Sequence, residues 1–168
     1  MKKLIFTLVL FLGLQSYAQK TVYILNFSSY TMQVGEIITK PNTGTYPLYT
    51  SVYEATSTSG PSLLPVGASY IMENPVATRF PFYSPTSVPA IKKWKRSTSA
   101  TISGIVTSLS LNNILGNTQN FNSIKFQVVG AGGATLVGPN DSYSNTFITA
   151  FCETDTFTGE TIITVFDN

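Results

Sequence analysis

Along most of this chain apolar and polar residues alternate in short runs, and turn residues interrupt each run before a helical repeat can build up. The clearest run is Ser123-Ile124-Lys125-Phe126-Gln127-Val128. Its strict period of two predicts a strand with Ile124, Phe126 and Val128 toward a core and the polar residues toward solvent. Thr21 to Phe27 is apolar at both parities, which predicts a central strand covered on two sides. Ser28-Ser29 reads as a turn and Tyr30 to Thr39 as a second strand with a bulge at Gly35, so the two segments form an opening hairpin. Further extended patterns run from Tyr46 to Tyr53, Ser69 to Glu73, Val88 to Arg96, Thr98 to Leu109, Tyr143 to Phe151 and Glu160 to Phe166. Pro47 favours an edge position for the first of these, because proline cannot donate to a ladder. Leu111, Ile114 and Leu115 fall at helical spacing and predict one short helix near 110–116.

About nine or ten short strands without alternating long helices predict an all-β chain, with an antiparallel β-sandwich as the architecture and a β-barrel as the alternative. One stretch departs from this rhythm. Lys2 and Lys3 precede an apolar run from Leu4 to Leu14, and Ser16-Tyr17-Ala18 supplies small residues at the cleavage positions. That order is a secretory signal peptide over 1–18, cut near Ala18, followed by a single domain over 19–168 in the extracellular or periplasmic space. The run is shorter than the ~20 residues of a membrane-spanning helix, and no transmembrane segment is expected elsewhere. The apolar strand ending in Asn26, the hydroxyl-rich hairpin that follows it and the later Leu64-Pro65-x-Gly67-x-Ser69 turn resemble a pattern shared by many secreted bacterial β-sandwiches. The resemblance is confined to these segments and implies no particular activity.

Removal of Lys2 and Lys3 leaves eight basic and eight acidic side chains. A near-neutral chain has no global field to draw in nucleic acid, so no nucleic-acid partner is expected and electrostatic recognition must be local. The absence of histidine removes Ser-His-Asp and Cys-His nucleophile pairs, histidine zinc sites and histidine general bases together. The single cysteine, Cys152, cannot bridge within the chain and reads as a small buried side chain beside Phe151.

The densest cluster of chemistry is Arg79 to Arg96. Lys92, Lys93, Lys95 and Arg96 surround the only tryptophan, Trp94, and Arg79, Phe80, Phe82 and Tyr83 lie just upstream. Cations beside exposed aromatic faces would bind an anionic polymer and stack its rings, so these nine residues are the predicted ligand-binding surface. Glu153 and Asp155, two apart on a strand, are spaced for glycoside hydrolysis. Asn140-Asp141 with the later acids could offer oxygens to calcium, but the spacing fits no calcium loop. Gly130-Ala131-Gly132-Gly133 lacks the lysine and helix of a phosphate cradle and reads as a hairpin turn. The expectation is a secreted, non-catalytic binding or surface-interaction protein recognising a glycan or another cell-surface polymer, with no catalytic residues, metal or cofactor. Two alternatives compete: a histidine-free carboxylate glycoside hydrolase, and a pore-forming or adhesive protein that assembles through Ser/Thr-rich strands such as Thr98 to Leu109.

Overall fold

The computed structural model describes residues 20–52, 62–74, 76, 79–82, 91, 93–108, 110–111, 115–131, 133–156 and 158–168. The expected signal segment, Tyr83 and Lys92 lie outside the described residues. Twelve strands appear among them: β1 (Val22–Asn26), β2 (Met32–Pro41), β3 (Leu48–Val52), β4 (Ser62–Leu64), β5 (Ser69–Met72), β6 (Lys93–Ser97), β7 (Ile102–Thr107), β8 (Gln119–Val128), β9 (Thr135–Val137), β10 (Asp141–Ser144), β11 (Ile148–Thr154) and β12 (Thr161–Asp167). They form an all-β sandwich with no closed barrel. One sheet runs β10-β11-β12-β1-β5, and the other runs β7-β6-β3-β2-β8-β9 with β4 also paired to β2. The strand number exceeds expectation because β4 and β9 are added and Tyr143 to Phe151 is two strands, β10 and β11, turned at Asn145. Near the expected helix, Ser110 and Leu111 are helical, the Leu115 N–H donates to the Leu111 carbonyl at 2.9 Å, and a 3-10 turn follows at Gly116–Thr118.

Alternation sets the core. Val22 and Ile24, Tyr70 and Met72, Ala150 and Cys152, and Ile163 and Val165 face inward from the five-stranded sheet. Met32, Val34, Ile37, Tyr49, Trp94, Phe121, Ile124, Phe126 and Val128 face them from the other. Burial of this apolar area at ~25 cal/mol per Å² is the main stabilising term, and no crosslink contributes because Cys152 is free. The expected inward set Ile124, Phe126 and Val128 is found. Upstream in β8 the inward parity is Gln119, Phe121 and Ser123, and the ladder to β2 shifts register at Ile38/Thr39 where the parities meet. The bulge expected at Gly35 is the other register shift, between Val34 and Glu36.

Three expectations are corrected. β1 and β2 are not a hairpin: β1 pairs in parallel with β12 and antiparallel with β5, whereas β2 lies in the opposite sheet. Phe27 to Thr31 is an arch between layers, held by Asn26. Its buried side-chain amide donates to the carbonyls of Tyr30, Leu64 and Pro65 at 2.8, 3.1 and 2.9 Å, and its Oδ1 accepts the Ser28 N–H and hydroxyl at 3.1 and 2.7 Å. The Asn26 main chain bonds Gly67 and Ala68, so the two segments of the bacterial pattern meet here, and Gly67 takes the left-handed φ of 69° that the turn needs. Pro47 does not mark an edge: β3 is an interior strand between β2 and β6, and the proline precedes its first ladder residue. β1 is interior to its sheet but, among the described residues, covered on one face only.

Candidate functional site

The uncovered side of β1 belongs to the outer face of the five-stranded sheet. Register aligns Glu153, Ile162, Tyr23 and Ile71 across β11, β12, β1 and β5. The next row is Ser142, Phe151, Thr164, Leu25 and Ser69. The third is Ser144, Thr149 and Phe166, with Phe27 just past the end of β1. Phe27, Phe151 and Phe166 are 59%, 45% and 43% exposed, and Ile71 and Ile162 are also open to solvent. Phe27 stacks on Phe166 with ring centroids 5.7 Å apart, and Phe151 meets Phe166 at 6.5 Å. A contiguous apolar face of this kind is uncommon on the surface of a single chain.

Its ends are polar. A groove of about 680 Å³ crosses β10, β11 and β12, floored by Phe151 and Ile162 and lined by Asp141, Glu153, Asp155 and Glu160. The Tyr23 phenol is held above its usual range by burial, then by the charge of Glu160 and the hydrogen bond to it, and by Glu73. At the opposite end Ser29 donates its N–H and hydroxyl to the Asp167 carboxylate at 2.7 and 2.6 Å, which holds that carboxyl below the usual range. This contact ties the Phe27 arch to the end of β12.

Glu153 and Asp155 both line the groove but are not two positions of one strand. Asp155 lies beyond the end of β11 and shapes the β11–β12 turn: its Oδ1 accepts the Thr158 N–H at 3.1 Å and its own N–H donates to the Glu160 carbonyl at 2.9 Å. Among the described residues no three acidic, cysteine or histidine side chains converge as a metal-binding set would. Cys152 borders the groove; its buried thiol is pushed up to about 12 by burial, with Asp141 and Glu153 adding to the rise. A thiol so held is not a nucleophile at neutral pH.

The described aromatic residues of the expected site are in the core. Phe80, Phe82 and Trp94 are fully buried, with centroids 5.0 Å apart for Phe80–Phe82 and Phe82–Trp94, and Tyr49 packs edge-on against Phe82 at 5.5 Å. The indole N–H donates to the Phe82 carbonyl and the Ser108 hydroxyl, both at 3.1 Å, so burying it leaves no donor unsatisfied. These three rings cannot stack a ligand. Arg79 is half-buried against Gly116, where an added Cβ would come within 2.7 Å of the Arg79 Cβ. Lys93, Lys95 and Arg96 do reach the surface of β6, and Arg96 bonds the Tyr49 phenol.

Sequence reasoning missed the exposed face although its signal was present. β1 and β12 are apolar at both parities, which reads as two-sided burial, but among the described residues nothing covers the second side. No helix among the described residues is long and apolar enough to cross a membrane. Comparison of this chain with family models, with curated proteins and with solved structures finds no match.

Proposed function

We propose that this chain is an exported, non-catalytic surface-interaction protein whose working surface is the outer face of the five-stranded sheet. The observation that carries the reading is the open row Phe27, Phe166 and Phe151, continued by Ile162 into a carboxylate-lined groove. Apolar rings beside hydroxyls and carboxylates suit an extracellular polymer with apolar ring faces and hydroxyl or cationic groups, such as a neutral or amino-sugar glycan. Sulfated or uronic glycans are disfavoured, because Glu153 and Glu160 lie on the same face as the rings. The lack of histidine and the use of Asp155 in a turn support a role without catalysis.

The test is retention on insoluble cellulose, chitin and chitosan. Phe151→Ser/Phe166→Ser removes the rings from exposed positions and keeps the fold, as circular dichroism would verify. The wild type should be retained on at least one matrix and the double variant should elute with the void. Equal retention of the two, or no retention on any matrix, would refute a polymer-binding face.

A further inference from the structure

Near-neutral charge conceals a marked sorting of sign between the outer faces of the two sheets. The five strands of the aromatic sheet contain no lysine or arginine, and their outer face carries Glu153 with Glu160 and Glu73 at the strand ends, whereas Asp141 and Asp167 take the inward parity opposite Cys152 and Ile148. The outer face of the other sheet carries Lys40, Lys93, Lys95 and Lys125 against Glu36, and Arg96 turns to the inward side to meet Tyr49. The basic face has its own apolar ground: Ile105 is 64% exposed and pairs in register with Lys95, and Leu136 is 53% exposed and pairs with Lys125. We infer that the two outer faces are complementary halves of one contact, and that copies of this chain stack head to tail, the acidic aromatic sheet of one upon the basic sheet of the next.

The second copy is the occupant because the complement to each face is carried by the chain itself. Lysine stems beside Ile105 and Leu136 would cover Phe151 and Phe166, with ammonium groups over the rings and toward the groove carboxylates. Unlike faces make a heterologous contact, which extends into an open stack instead of closing as a pair. Five strands at ~4.8 Å spacing, read over about five residues, give a face on the order of 400 Å² in projection. That falls short of the ~800 Å² per partner of a standard stable complex, so the contact is weak and governed by salt. The inference rests on reading the aromatic face as a contact surface, and not on a polymer partner.

Sedimentation of the exported chain in about 50 mM and about 500 mM NaCl tests it. Association should depend on concentration and weaken by at least ~10-fold at the higher salt. Lys95→Glu/Lys125→Glu and Glu153→Lys/Glu160→Lys should each be monomeric alone, and an equimolar mixture should associate again because each supplies the face the other has lost. A wild type monomeric in both salts, association strengthened by salt as for two aromatic faces meeting, or a mixture that stays monomeric would each overturn the stacking. Phe151→Ser/Phe166→Ser separates the two proposals. Loss of polymer retention with association intact removes the stacking and leaves the polymer reading standing, whereas loss of association with retention intact does the reverse.

Discussion

Replacing Asn26 by aspartate changes almost no volume, yet it inverts the chemistry at the point where three segments of the sandwich are held together. The Asn26 amide faces the carbonyls of Tyr30, Leu64 and Pro65, so the aspartate would turn an acceptor oxygen toward three acceptors in a buried site. The charged form is untenable there, and the carboxyl must take up a proton on folding. From an ordinary value of ~3.9, holding that proton at pH 7 costs about 4 kcal/mol at ~1.4 kcal/mol per pH unit. One O–H replacing two N–H donors costs about 1 kcal/mol more. Against a total stability of about 5–15 kcal/mol the variant would be marginal at neutral pH. Asn26→Ala removes the same bonds without a charge and should cost on the order of 3 kcal/mol. Because the raised carboxyl binds its proton more tightly folded than unfolded, the aspartate penalty shrinks as pH falls, by about 3 kcal/mol between pH ~7 and ~4.5. Urea unfolding followed by Trp94 emission, with the wild type measured at each pH, reads both effects. Equal, pH-independent losses for the two variants would refute the claim that the amide donors hold the arch.

Two further predictions concern the core. Cys152 should resist a thiol reagent at pH ~8 in the native protein and react at once in urea. Since its folded-state value is about 12 and the ordinary thiol value is 9.0, its contribution to stability should decline as pH rises through that window. Rapid native labelling would show the thiol to be accessible. Gly116→Ala should cost about 1–3 kcal/mol, because the added methyl meets the Arg79 stem at 2.7 Å beside the Phe80 N–H bond to the Gly116 carbonyl; an unchanged urea midpoint would show that Arg79 yields freely.

Local alternation made the class of fold legible. A period of two over Ser123 to Val128, turn residues between runs and the bulge at Gly35 follow from backbone geometry within a few residues, and each has its counterpart in the sheets. Pairing was not legible, because whether Tyr30 to Thr39 folds back on β1 or crosses to the other layer depends on bonds from Asn26 to residues some forty positions away. The Arg79 to Arg96 cluster shows the limit most sharply. Rings beside cations look alike in sequence whether they meet a ligand or a core, and the buried partners of the Trp94 indole exist only once Phe82 and Ser108 are brought to it.

By itself the sequence determined that this chain builds a two-layered β structure without crosslinks or histidine chemistry, since those properties depend on residue types and short-range periodicity. Only the tertiary structure decided which apolar side of β1, β11 and β12 is open and how the balanced charges divide between the sheets. Burial and electrostatic segregation are properties of surfaces assembled from strands distant in sequence, and strand order, not composition, places them together.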